Sequence, residues 1–264
     1  MVGSYFYHES NIDGKINSNY KEIGDEFSDF KEQHYRLYYY QAQLAITGIQ
    51  IEDINEKTRL LSEYYTRVDS FIGNMAGNGV KITSQSKFRP TVLEEFCGFL
   101  LKDIPEIGRL NLDFFNKGVF AGITLDRGGN AKIKTKDIDF CIGKEFDVNI
   151  GDENYTIIIP VIAIECKTYI DKTMLSEAQF TAQKMKQGSP NVKVYCVSER
   201  NEIDVDEIPT KGRTPLDQIF IIRGKTTNPV SNEAVFSFFT EVKLALEKLS
   251  REAIRIQLGG ILPD

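Results

Sequence analysis

Apolar residues recur at helical spacing through the first third of the chain. Leu37, Tyr38, Gln41, Leu44 and Ala45 mark one face, and Leu60, Leu61, Tyr64, Tyr65, Val68 and Phe71 a second. They predict helices over residues 17–48 and 51–74, and no proline interrupts either. Charged and polar residues fill the gaps, as in a helical pair packed on another layer. Three consecutive residues cover most of a helix circumference. The run Tyr38-Tyr39-Tyr40 is therefore read as core or interface packing ahead of base stacking on a nucleic acid. Gly73 to Gly79 (Gly-Asn-Met-Ala-Gly-Asn-Gly) reads as a breaker, at which a subdomain boundary or hinge is expected.

Beyond it the pattern predicts a helix over Pro90–Lys102, with proline in the first turn where its missing N–H is not needed. Val92, Leu93, Phe96, Cys97, Leu100 and Leu101 form its buried stripe, Glu94 and Glu95 flank it, and Pro105 ends it. Three strands are predicted next. Gly118–Leu125 is apolar and small. Lys136–Ile142 alternates, with Ile138, Phe140 and Ile142 on one face and Asp137, Asp139 and Cys141 on the other. Tyr155–Lys167 is a long apolar run in which Pro160 implies an edge or a bulge for its first half. Turns are read at Gly128–Asn130 and Gly151–Asn154. A helix over Met174–Gln187, a strand over Val192–Val197, a polar loop over Asn201–Thr214, a strand over Asp217–Arg223 and a helix over Val230–Glu252 complete the chain. The order from Pro90 is helix, three strands, helix, strand. It implies an α/β architecture, an α+β mixed sheet with helices on both sides, fed by a helical N-terminal subdomain. Residues 1–79 are assigned to that subdomain and 80–264 to the core with its C-terminal strand and helix.

Composition narrows the function without naming it. The 264 residues suit one large domain or a core with an appendage. No run approaches the roughly 20 apolar residues of a membrane span. The N-terminal stretch Met1 to Tyr20 lacks the charged and apolar regions of a secretion signal. Cys97, Cys141, Cys166 and Cys196 sit in apolar segments and are read as reduced core residues of a cytoplasmic protein. A net charge of −6 argues against a protein that coats nucleic acid nonspecifically, but leaves room for a local basic cleft. The two histidines, His8 and His34, lack motif partners and are expected on a surface or helix face. That weighs against zinc hydrolases and Ser-His-Asp catalysis.

The candidate chemistry lies in Val161-Ile-Ala-Ile-Glu-Cys-Lys167. In a strand Glu165 and Lys167 share a face, and charges within so apolar a run are costly unless compensated. The upstream Asp137 and Asp139 supply further carboxylates. Phosphodiester hydrolysis needs an attacking water, neutralised phosphate charge and help for the leaving oxygen. Mg²⁺ provides these if one or two carboxylates hold it. A nearby lysine orients the water or stabilises charge, and the carbonyl of Cys166 is a further possible metal ligand. Lys132, Lys134 and Lys136 alternate just ahead of the acidic pair, either as a solvated strand face or as a phosphate-contacting patch.

Lys136-Asp-Ile-Asp139 followed by Ile164-Glu-Cys-Lys167, in that element order, resembles the PD-(D/E)XK nuclease superfamily. Ser86-Lys-Phe-Arg-Pro-Thr-Val-Leu-Glu-Glu-Phe96 and Glu165-Cys-Lys-Thr-Tyr-Ile-Asp-Lys-Thr-Met-Leu175 are similar to Bpu-type type II restriction endonucleases, which cut short interrupted or asymmetric sites. The similarity spans roughly residues 84 to 200. It implies a restriction-endonuclease-like αβββαβ core and Mg²⁺-dependent cleavage of double-stranded DNA leaving 5′-phosphates, with Mn²⁺ as a substitute. Carried over by motif, Asp139 (with Asp137 as rival) and Glu165 become metal ligands and Lys167 the catalytic lysine. The proline that usually precedes the aspartate is missing. The superfamily's helix glutamate near the metal corresponds to Glu95 or Glu94. Thr168, Tyr169, Asp171 and Lys172 either shape the substrate side or form a plain loop.

Two other readings compete: a structure-selective repair or recombination nuclease, and a catalytically inactive DNA-binding module. The intact acidic and lysine set favours an enzyme, and the N-terminal helices favour a sequence reader or a dimerising chain. One site cuts one strand, so a homodimer, or a heterodimer with a second strand-cutting subunit, is expected.

Overall fold

The structure, a computed structural model, describes residues 4–17, 21–83, 86–151, 153–204, 212–224 and 228–257. Parts of the predicted 17–48 helix (18–20), of the 201–214 loop (205–211) and of the turn at Asp152 lie outside the described residues.

The chain starts with α1 (Tyr7–Ile16), ahead of the predicted helices, and α2 (Lys21–Phe30). A π-wound stretch, Lys31–Tyr40, continues into α3 (Gln41–Ala45). α4 (Ile51–Gly77) opens on a capping box in which Gln50 and Asp53 exchange side-chain-to-backbone hydrogen bonds. The helix ends inside the predicted breaker Gly73–Gly79, a few residues past the predicted end at 74. α4 runs on to Gly77 and yields only at Asn78, with Met75 buried beneath it. A glycine costs a helix about 1 kcal/mol relative to alanine, and burying a methionine returns about 1.5–3 kcal/mol, so packing overrides propensity.

α5 (Pro90–Leu101) and α6 (Pro105–Arg109) lead into the strands. These are β1 (Asp113–Phe115), β2 (Val119–Leu125), β3 (Ala131–Lys136), β4 (Phe140–Ile150) and β5 (Glu153–Lys167). Then come α7 (Lys172–Gly188), β6 (Lys193–Arg200), β7 (Gln218–Gly224) and α8 (Asn232–Gln257). The main sheet has the order β1-β4-β5-β6-β7. β1, β4 and β5 pair antiparallel, and β5, β6 and β7 parallel. β2 and β3 form a separate antiparallel ribbon, so the predicted strand at 118–125 does not join the main sheet.

The predicted strand Lys136–Ile142 is split. Lys136 ends the ribbon, Phe140 opens β4, and Asp137–Asp139 is the link between the two sheets. Alternation fails there. Ile138 packs with Cys141 on one side of the sheet, while Phe140 and Ile142 pack on the other. Pro160 behaves as predicted. It faces Gly143 at a register shift between β4 and β5, and β5 pairs with β6 only from Ile162 onward. A side chain at Gly143 would put its Cβ 2.6 Å from the Ile159 carbonyl oxygen, so this bulge needs glycine.

The sheet separates two apolar cores. Ile162, Ile164 and Cys166 face a core built with the N-terminal helices, α5 and α8, and Ala163 faces one built with α7. Within the first core Tyr39 stacks on Tyr64 at 4.2 Å, and both are fully buried. The tyrosine run thus packs inward, as its spacing predicts. α1 and α4 both pack on α5, and α4 also packs on α8.

Candidate active site

Glu165 and Lys167 extend the face that Ala163 begins, and so look toward α7. They meet Asp137 and Asp139 from the inter-sheet link and Glu94 from α5 in one cleft of about 760 Å³. Thr173, Ser176, Glu177, Phe180 and Thr181 of α7 form one wall, and Asn116, Lys117 and Lys136 another.

At its centre the Lys167 ammonium lies 2.8 Å from Glu165 Oε2 and 3.8 Å from Asp139 Oδ2. The backbone N–H of Cys166 donates to Asp139 Oδ2 at 2.9 Å, which fixes that carboxylate against the end of β5. The Cys166 thiol turns the other way and lies 3.8 Å from the Cys97 thiol; all four cysteines are buried and unbridged. Asp137, also in the cleft, accepts the Gly118 N–H at 3.1 Å and so closes the base of the ribbon.

Electrostatics follow from burial and crowding. Desolvation, then the Asp139 charge, raises the Glu165 pKa. The same two causes push Glu94 up to about 8. Burial works against the charge on Lys167, but Glu165 and Asp139 outweigh it and keep the ammonium firmly protonated. A cation of the chain itself thus occupies the point where two carboxylates converge. Among the described residues no three Asp, Glu, His or Cys side chains stand close enough to cage an ion. Mg²⁺ does not require a cage: it takes hard oxygen ligands from one or two carboxylates and keeps several waters. Asp139 and Glu165 fit that need.

The pair Glu94 and Glu95 requires a correction. Both are buried, but Glu95 is not in the cleft. Its Oε1 accepts from Tyr35 Oη at 3.0 Å and Gln43 Nε2 at 2.7 Å, and its Oε2 from the backbone N–H of His8 at 2.9 Å and of Glu9 at 3.3 Å. Glu95 locks α1 and the π-wound stretch onto α5, whereas Glu94, one residue earlier, lines the cleft. Even with four donors, desolvation raises Glu95 to about 7. His8 is likewise not on a surface. It is fully buried between Thr91 Oγ1 at 3.0 Å and Tyr64 Oη at 2.8 Å, and burial lowers its pKa to about 3. His34 is half-buried beside Arg67.

Of the residues after Lys167, Asp171 caps α7 by accepting the Met174 N–H at 2.7 Å. Thr168 and Tyr169 border a shallow pocket that shares Lys87, Glu94 and Asp139. Lys87 escapes sequence reasoning. It precedes α5 in a left-handed conformation with φ +57°, a position sparsely used by non-glycine residues, and its charge lowers the Glu94 pKa against burial. It lies within the Ser86–Phe96 stretch that carries the resemblance, but its spacing gives it no role there. The α7 wall is also unmarked, except that Thr181 is a polar residue buried on a helix face that otherwise packs apolar side chains.

The sequence model of the Bpu10I restriction endonuclease family matches residues 85–240. No curated protein sequence matches the chain. A solved structure described as "native BbvCI A2B2 tetramer at low resolution" is similar over 93% of this chain and 96% of that one, with TM-score 0.62 and 18% identity. That likeness is one of fold, and it extends through the N-terminal helices that the family match leaves out. With the family match covering more than half of the sequence, including the cleft and both sheets, the chain belongs to the Bpu10I restriction endonuclease family of type II site-specific endonucleases.

Proposed function

We propose that this endonuclease hydrolyses phosphodiester bonds of double-stranded DNA at a short specific sequence. Asp139 and Glu165 hold Mg²⁺, with the Cys166 carbonyl as a further ligand, and Mn²⁺ substitutes. The observation that carries this reading is the convergence of Asp139, Glu165 and Lys167 in one cleft. When bound, the metal supplies Lewis-acid polarisation and charge neutralisation at the phosphate. The Cys166 N–H holds Asp139 where it would serve as a metal ligand. Lys167 would donate to the attacking water or to a nonbridging phosphate oxygen. The water oxygen bonds to phosphorus and releases a proton to solvent, the bond from phosphorus to the 3′ oxygen breaks, and that oxygen takes a proton from solvent and leaves as a hydroxyl, so the ends carry 5′-phosphates. Glu94 completes the acidic wall. The assignment of Asp139 over Asp137 rests on its approach to Lys167 and the Cys166 N–H, while Asp137 is engaged by Gly118.

Residues 1–79 serve recognition or dimerisation. Two active sites are needed to cut both strands, from two copies or from one copy and a related strand-cutting subunit.

The test is digestion of a plasmid of known sequence with Mg²⁺, followed by run-off mapping of the ends. Discrete bands with 5′-phosphates are the expected result, abolished in Asp139→Asn, Glu165→Gln and Lys167→Met. A smeared digest, or undiminished cutting by Glu165→Gln, overturns the reading.

A further inference from the structure

A second groove of about 780 Å³ runs between the β2–β3 ribbon and α7. It shares Lys136 and Phe180 with the active cleft, so the two adjoin. Its charge is distinctive. Lys132, Lys134, Lys136 and Lys184 line it, and no Asp or Glu does. The chain as a whole carries −6, so this is a local reversal of sign. None of these four lysines lies within ion-pairing distance of a carboxylate among the described residues.

The sequence builds the groove simply. In Ala131-Lys-Ile-Lys-Thr-Lys136 the period of two puts the three lysines on one face of β3. Successive lysines are about 6.8 Å apart along an extended strand, a step comparable with the spacing of phosphates along a DNA strand. Lys184 joins them from α7, its ammonium 5.3 Å from the Phe180 ring.

The ribbon is held at a fixed offset from the catalytic residues. At one end the Gly118 N–H is bonded to Asp137. Farther along, Gly188 of α7 approaches so closely that a Cβ there would lie 2.7 Å from the backbone N of Gly122. A row of lysines on a ribbon packed beside the acidic cleft has the charge pattern of an electrostatic track for a phosphate backbone.

We propose that this groove carries the sugar-phosphate backbone of the DNA strand being cut, with Lys132, Lys134 and Lys184 each neutralising one phosphate and Lys136 leading the strand into the cleft. The proposal rests on the chain acting on DNA, and it adds which surface positions the substrate.

Each neutralised phosphate contributes about −0.9 to the slope of log affinity against log salt, or about eightfold in affinity at 0.1 M salt relative to 1 M. The experiment is fluorescence anisotropy of a mixed-sequence duplex in EDTA over a salt series, with plasmid cutting measured alongside. For the triple variant Lys132→Gln/Lys134→Gln/Lys184→Gln the slope should shallow by about 2.7 and affinity at 0.1 M salt should fall about 500-fold. Lys243→Gln on α8 should change neither. If the triple variant melts early, the single Lys184→Gln variant is read instead, with an expected slope change of about 0.9.

An unchanged slope in variants that remain folded, beside a wild type that cuts, overturns the track and leaves the endonuclease reading standing. A wild type that neither binds nor cuts DNA defeats that reading first, and the track with it. An unchanged slope with altered sedimentation identifies the groove as a contact between subunits, which also overturns the proposal.

Discussion

Glu94 and Glu95 are neighbours in sequence with different surroundings, and replacing them one at a time separates catalysis from architecture. Glu95→Leu strands the Tyr35 hydroxyl, the Gln43 amide and the His8 N–H, all buried donors aimed at the lost carboxylate. Each unsatisfied buried donor costs about 1–3 kcal/mol. Set against that is relief of the strain of holding a buried carboxylate charged. The rise from 4.5 to about 7 corresponds to roughly 3 kcal/mol at about 1.4 kcal/mol per pH unit. The net loss is about 3 kcal/mol, a fall of roughly 6–12 °C in melting temperature for a chain of this size.

Glu95→Gln should be mild, within about 1 kcal/mol. The new amide oxygen still accepts from His8. Gln43 Oε1, which has no hydrogen-bond partner in the native packing, accepts from the new amide once Gln43 flips and the Tyr35 hydroxyl rotates. Glu94→Gln is expected to do the reverse. Removing a carboxyl crowded by Asp139 and Glu165 leaves the melting temperature unchanged or raises it, while Mg²⁺-dependent cutting falls at least about tenfold. Calorimetry and a plasmid-nicking assay on the same preparations read both quantities. If Glu95→Gln lost cutting as fully as Glu94→Gln with its melting temperature intact, Glu95 would be acting at the metal and the separation drawn here would be wrong.

Other outcomes follow from burial. His8 has a folded pKa of about 3 against 6.5 for the free side chain. Its contribution is therefore present above pH 6.5 and is lost as pH falls toward 3, whereas Glu95, shifted upward, contributes below pH 4.5 and loses that contribution as pH rises to 7. The two slopes oppose between pH 4.5 and 6.5. Below 4.5 the gap in urea stability between wild type and His8→Gln should narrow by about 1.4 kcal/mol per pH unit, and a constant gap refutes the buried neutral imidazole. Glu199 is almost inaccessible. It lies 2.8 Å from Arg89 and 3.6 Å from Arg223, and Asp69 pairs with both arginines. Glu199→Ala therefore leaves guanidinium charge poorly compensated where α4, the start of α5, β6 and β7 meet, and should cost about 3–5 kcal/mol by chemical denaturation, with Glu199→Gln much milder. Gly188→Ala forces the ribbon off α7. It should cost about 1–3 kcal/mol, with hydrogen exchange rising first in β2 and β3.

What the sequence discloses and what it hides divide along a physical line. Glu165 and Lys167 are legible because a strand's period of two needs only the strand to exist, and the apolar run from Val161 guarantees one. The same rule misleads at Asp137 and Asp139, where the chain leaves the ribbon and enters the main sheet. A link between sheets has no period, so Ile138 and Phe140 end on opposite sides although alternation puts them together. The choice between Glu94 and Glu95 is hidden for another reason. In α5 every residue from Thr91 to Leu101 is buried, so the helix has no exposed face against which a wheel can be oriented. What distinguishes the two carboxylates is their partners. Those of Glu95 lie between 52 and 87 residues away in the chain, and those of Glu94 come together only when the inter-sheet link and β5 meet. His8 escapes for the same reason, since its bonds reach 56 and 83 residues ahead. Local pattern therefore identifies the chemistry that one strand can carry by itself. The third carboxylate and the placement of the lysine row beside the cleft depend on where α5, α7 and the β2–β3 ribbon lie against that strand, and packing alone decides that.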